Sequence, residues 1–152
     1  MMKLVWLLLV LAVGFAAYVR FAPYDAARWH VAPTDDTVGD WTNHNAFRAT
    51  RQITTSAPDV LKAFDTLVLK DANTTRMSGS PEEGLTTYQT RSALMGYPDY
   101  TTVGTVLADD GTQLVSIYGR ARFGYSDVGQ NGKRIKRWIA AMGPLLVAPS
   151  AQ

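Results

Sequence analysis

Between Val115 and Met142 the spacing of apolar residues changes from two to about 3.6, which requires a strand running almost directly into a helix. Val115, Ile117, Ala121 and Phe123 alternate on one face, with Gly119 among them, while Ser116, Tyr118, Arg120 and Arg122 share the other. One face is expected to be core and the other to present two arginines. Past Phe123, Val128, Ile135, Trp138, Ile139 and Met142 fall on a common helical face, with Lys133, Lys136 and Arg137 opposite. Ser126 is the expected cap, which would set Asp127, Asn131 and Arg134 along one flank, and Gly143-Pro144 closes the helix. The junction from Tyr118 to Arg137 holds six of the 15 basic residues and one of the 13 acids. It is locally +5 while the remainder of the chain is −3.

The middle of the chain predicts the partners of that strand and helix. Polar and β-branched residues from Ala46 to Thr55 suggest a first strand, and Ser56-Ala57-Pro58-Asp59 reads as a helix start with Ser56 as cap. Val60, Leu61, Phe64, Leu67 and Val68 then form one apolar helical face, with Lys62, Asp65 and Lys70 off it. Asn73–Gly79, Leu85–Met95, Tyr100–Leu107 and Gln113–Phe123 are strand patterns. Asp109-Asp110-Gly111-Thr112 is a tight hairpin turn, so the last two strands are expected to be antiparallel neighbours. Glu82 and Glu83, in a Ser-Pro-Glu-Glu-Gly turn, read as a solvated loop tip, since nothing apolar surrounds them to raise a carboxyl pKa.

At the amino terminus, Lys3 is followed by sixteen uncharged residues, Leu4 to Val19, and then Arg20. As a helix this run spans about 24 Å against a hydrocarbon core of ~30 Å, and Trp6, Tyr18 and a snorkelling Arg20 extend it. Residues 1–22 are read as a transmembrane signal anchor, the competing reading being a signal peptide cleaved near Gly14-Phe15-Ala16-Ala17. Residues 23–43, with Pro23, Pro33, Gly39 and four aspartates, read as a linker leading away from the membrane, with Trp29 and Trp41 touching the domain or the lipid. His30 and His44 are read as linker side chains rather than metal ligands. Residues 44–143 form the domain and 144–152 a tail with too little pattern to order.

The sequence has no cysteine, which excludes disulfides, thiolate metal sites and a cysteine nucleophile. A net charge of only +2 and a short basic stripe give no case for nucleic-acid binding. No cofactor or metal site is expected. The fold class expected is α+β, an antiparallel sheet of about four to five strands with two helices packed on one face, plus the amino-terminal transmembrane helix.

The run Phe123-Gly124-Tyr125-Ser126-Asp127-Val128-Gly129-Gln130-Asn131-Gly132-Lys133-Arg134-Ile135 resembles the carboxy-terminal signature of the bacterial DUF1499 family. It is similar to that signature at Arg122, Gly124, Tyr125, Ser126, Asp127, Gly129, Asn131 and Arg134. A second likeness, in Met95-Gly96-Tyr97-Pro98-Asp99, keeps Asp99 of an acidic family segment, whereas the family's cysteine-containing element near the amino terminus has no counterpart here. The resemblance covers Phe47 to Met142 and implies an α+β domain in a membrane or periplasmic setting. It implies no activity.

The polar corner admits three readings. In the first, Asp127, Asn131 and Arg134 lock the helix start to the last strand, with Asp127 accepting from Arg120 or Arg122. In the second, Arg120, Arg122, Tyr125, Ser126, Asp127, Asn131 and Arg134 surround an anion, a phosphate or carboxylate such as a lipid head group or envelope component. The third is a hydrolase-like enzyme using the same residues, although Ser126 has no histidine close in sequence and the Gly-x-Ser-x-Gly elbow is absent. The function expected is a membrane-anchored binding or scaffold protein of the cell envelope. It would be single-pass in the bacterial inner membrane, with its domain in the periplasm.

Overall fold

A computed structural model describes residues 1–148. The chain runs α1 (Met2–Phe21), α2 (Ala26–Trp29), β1 (Gly39–Asn43), β2 (Ala46–Gln52), α3 (Ala57–Val68), β3 (Thr74–Ser80), β4 (Leu85–Arg91), β5 (Pro98–Leu107), β6 (Gln113–Ala121) and α4 (Gln130–Met142). The strands form one antiparallel sheet in the order β1-β2-β6-β5-β4-β3. It has six strands rather than four or five. The added strand, β1, falls within the stretch expected to be linker and was hidden because four of its five residues are exposed, leaving no alternation to read.

Helices α3 and α4 cover one face of the sheet. Ser56 caps α3 by accepting the Asp59 amide, and Val60, Leu61, Phe64 and Val68 are buried against Tyr88, Val103, Val115 and Ile117. Each large apolar side chain so buried contributes about 1.5 to 3 kcal/mol. Helix α4 buries Ile135, Trp138 and Met142, with Trp138 edge-on to Phe64 at 5.7 Å. Gly119 permits this close approach, since a Cβ there would meet Asn131 Oδ1 at 2.7 Å and Ile135 Cδ1 at 2.8 Å.

Asp65, expected off the apolar face of α3, is buried. Its carboxylate accepts from Tyr88 Oη at 2.8 Å and from Arg76 Nε and Nη2 at 3.0 and 2.5 Å. Burial, followed by the Asp65 bond, pushes the Tyr88 hydroxyl well above its ordinary pKa, so Tyr88 stays protonated as the donor.

The other face is covered by the segment expected to be a spacer. From Ala22 to Pro33 the chain lies across β4, β5 and β6, with Trp29 5% exposed and tilted over Tyr100 at 4.6 Å between ring centres. His30 Nδ1 is bonded to Thr87 Oγ1 at 2.9 Å. Beyond α4, Gly143–Leu145 form a 3-10 turn and Leu146 bridges to Ile53, so the start of the expected tail is part of the fold. Residues 149–152 of that tail lie outside the described residues.

Helix α1 is long and apolar enough to cross a membrane, with a mean hydropathy of 2.2 over its best window. Only its last turns meet the domain, where Val19 is buried and Tyr18 stands edge-on to Phe123 at 5.7 Å.

Candidate functional site

Strand β6 ends at Ala121 and α4 begins at Gln130, three residues later than a Ser126 cap would place it. Three positive-φ residues, Gly124 (90°), Val128 (52°) and Gly129 (73°), turn the chain between them. Val128, expected on the apolar helical face, is thus outside the helix and 76% exposed. Left-handed backbone is unfavourable for a β-branched residue, so its conformation is held by the loop around it.

The residue at the cap position of α4, Gly129, has no side chain to offer, and Asp127, two residues before it, satisfies the amides there instead of Ser126. Its Oδ1 accepts the Gly129 amide at 2.9 Å, and its Oδ2 accepts the Asn131 amide at 2.8 Å and Asn131 Nδ2 at 2.7 Å. Asn131, fully buried, accepts Arg134 Nη2 at 2.6 Å, and the same nitrogen donates to Asp99 Oδ2 at 3.0 Å. The two signature segments, joined by a bond between residues thirty-five positions apart, therefore meet in one chain of polar groups: Asp127, Asn131, Arg134, Asp99. Burial pushes the Asp99 carboxyl above its ordinary pKa, Arg134 opposes that shift, and the Asp127 charge adds to it.

Arg120 and Arg122 take no part in this chain, and Asp127 accepts from neither. They lie on the opposite face, where Arg120 Nη2 donates to the Trp29 carbonyl at 2.6 Å and to Thr102 Oγ1 at 2.9 Å. Thr102 Oγ1 itself donates to the Trp29 carbonyl at 2.7 Å, and the guanidinium lies 5.1 Å from the Trp29 ring centre. Burial lowers the Arg120 pKa, though a guanidinium stays charged. Arg122 Nη1 donates to the Pro23 carbonyl at 2.6 Å and to Tyr100 Oη at 3.1 Å. The period-two alternation correctly separates the two faces, but the partners of these arginines come from about a hundred residues upstream.

Tyr125 is exposed and stacks on His44 at 4.6 Å. Ser126 Oγ accepts the Val128 amide at 3.1 Å. The seven candidate residues are thus divided into a strap-holding pair, a helix-capping chain and two exposed loop side chains.

Two cavities open beside the corner. One, of about 460 Å³, is lined by Asp71, Asn73, Thr90, Arg91, Lys133, Arg134 and Arg137 among others, four cations against one carboxylate. Arg137 pairs with Asp71 at 2.6 Å, Arg91 donates to the Gly96 carbonyl at 2.8 Å, and Arg134 Nε is buried without a partner among the described residues. Arg91 and Asp71 are functional candidates that sequence reasoning missed, because only the pairing of β3 with β4 and the approach of α4 bring them to Lys133. The second cavity, about 530 Å³, lies between α1 and the corner and is lined by Phe15, Tyr97, Asp99, Phe123, Ser126, Asp127 and Val128 among others.

Fold and site together define a one-domain α+β protein in which signature polar residues tie the last strand, the last helix and the β4–β5 loop to one another. The chain belongs to the family described as proteins of unknown function, DUF1499, whose profile matches residues 28–142. The match begins at Arg28, earlier than the Phe47 expected, and so takes in Trp29 and the segment held by Arg120. No curated protein matches the chain.

Proposed function

We propose that this is a single-pass, membrane-anchored binding protein of the cell envelope that recognises an anionic group, a phosphate or carboxylate such as that of a lipid head group. The observation that carries this reading is the basic cavity on the α4 side of the corner, where Arg91, Lys133, Arg134 and Arg137 converge around about 460 Å³ of open space. Guanidinium pairs bind oxyanions through charge-assisted, geometrically matched hydrogen bonds, and Lys133 adds a mobile point charge. Arg120 and Arg122, first candidates by sequence, bind the Trp29 and Pro23 carbonyls on the other side of the sheet, so the anion site falls to Arg91 and the α4 cations Lys133, Arg134 and Arg137. Helix α1 supplies the anchor, and the domain would stand on the periplasmic side of a bacterial inner membrane.

The test uses the full chain in non-ionic detergent, titrated with inorganic phosphate and with a short-chain anionic phospholipid. Saturable binding that weakens at least tenfold in an Arg91→Ala, Lys133→Ala double variant supports the site. Equal binding by a double variant with an unchanged unfolding midpoint overturns it. Labelling of an introduced cysteine at Glu82 in intact cells and after permeabilisation reports the side of the membrane.

A further inference from the structure

We infer that the loop rim surrounding the end of α1 is a membrane-docking surface, and that its occupant is the headgroup layer of the bilayer that holds α1; this rests on the reading of α1 as a membrane anchor. The β4–β5 and β6–α4 loops emerge at the same end of the sheet as α1 does. They carry Leu94, Met95, Tyr125 and Val128, exposed by 92%, 49%, 77% and 76%. Single exposed apolar side chains are ordinary, but four large ones on two adjoining loops at one end of a domain call for a partner.

The height of these loops along α1 identifies the partner. Phe123 packs on Tyr18, Tyr97 lies 6.3 Å from Phe123, and Phe15 shares a cavity wall with Tyr97, Phe123 and Val128. Phe15 precedes the last residue of α1 by six positions, about 9 Å along a helix axis. The rim therefore stands beside the final turn and a half of the anchor, within the ~5–10 Å depth at which interfacial apolar groups are buried. A domain on a free tether would not hold that height. Here Arg122 and Arg120 bind the carbonyls of Pro23 and Trp29, fixing the segment that follows α1 to the sheet.

Charge is arranged in the same direction. At the α1 end Arg20, Lys70, Arg91, Lys133, Arg134 and Arg137 outnumber the acids Asp71, Asp99 and Asp127, whereas the opposite loops and helix start carry Asp59, Glu82, Glu83, Asp109 and Asp110. That polarity draws the α1 end toward anionic head groups and keeps the far end in water. Val128 is held in left-handed backbone with its side chain outward, an arrangement that burial alone within the protein does not explain.

The absence of cysteine makes the test direct. Spin labels are attached to Leu94→Cys, Val128→Cys and Glu82→Cys variants of the full chain, reconstituted into vesicles of mixed phosphatidylcholine and phosphatidylglycerol. The expected result is several-fold lower collision with a water-soluble nickel reagent, and higher collision with oxygen, at positions 94 and 128 than at 82. Equal aqueous accessibility at all three positions in a chain that floats with the vesicles overturns docking while leaving the anchor intact. A chain that does not float overturns the anchor reading and docking with it. Spin–spin broadening at position 94 that persists in detergent assigns the rim to a second copy of the chain and also overturns the proposal.

Discussion

Arg120 Nη2 and the Trp29 carbonyl oxygen, ninety-one residues apart in sequence, are joined by a 2.6 Å hydrogen bond across the face of the sheet opposite α3 and α4. The arginine also lies over the Trp29 ring, and Thr102 donates to the same carbonyl. Removal of Arg120 leaves that carbonyl with one donor and takes one of the two guanidinium groups off the ring. Arg120→Met is expected to lower stability by about 1.5 to 3 kcal/mol, the range for a hydrogen bond from a charged donor. Denaturant unfolding of the full chain in detergent measures this, and protection of the amides from Ala26 to His30 against hydrogen exchange should fall with it.

Asp127 offers a second test, because its two oxygens satisfy two backbone amides and the Asn131 side chain at the start of α4. Asp127→Ala should cost about 1 to 2 kcal/mol as the loss of a helix cap. Ser126→Ala, by contrast, should change stability by less than about 0.5 kcal/mol, as Ser126 is an exposed loop residue. Equal losses in the two variants would return the capping role to Ser126.

Asp99 should make stability depend on pH. Its folded pKa is raised, mainly by burial, above the unfolded value of about 3.9. Between those two values the folded state binds more protons than the unfolded state, so this carboxyl's contribution to stability is greatest in acid and declines as pH rises through the window. The stability difference between the native chain and Asp99→Asn should show that decline. In Arg134→Ala, which removes the opposing charge, the Asp99 carboxyl resonance should titrate at still higher pH. A native titration midpoint at or below the ordinary aspartate value would contradict the assignment.

Val128 presents the opposite case, a residue whose replacement should stabilise. Its φ of 52° is costly for a β-branched side chain and free for glycine. Val128→Gly should raise stability by roughly 1 kcal/mol in detergent, net of the entropy glycine loses on folding. If Val128 docks on lipid, the same variant should sit less deeply on vesicles, separating folding from membrane contact.

Much of the fold was legible along the chain. Ser56 as a cap, the apolar stripe of α3, the Asp-Gly hairpin at Gly111 and the alternation of β6 are local signals, set by residues within a few positions of one another. Where those signals failed, the reason is also local. An edge strand exposed along most of its length, β1, leaves no period in its residues, and the left-handed turn at Val128 and Gly129 interrupts a helical pattern that is otherwise continuous. Asp65 was misread because a charged residue at the border of an apolar stripe is usually solvated, and its partners Tyr88 and Arg76 belong to strands formed later in the chain.

The candidate site divides in the same way. By itself the sequence determined that Arg120 and Arg122 lie on one face of the last strand, that Asp127, Asn131 and Arg134 lie at the start of the last helix, and that a membrane-length apolar helix precedes them. These follow from backbone periodicity, which depends only on neighbours. Tertiary structure alone decided that the two arginines hold the segment after α1, that Asp99 completes the polar chain, and that Arg91 joins Lys133 at a cavity. Those pairings join residues tens of positions apart, and a side chain's donors and acceptors are chosen by what packing brings within 3 Å of it, which no local period encodes.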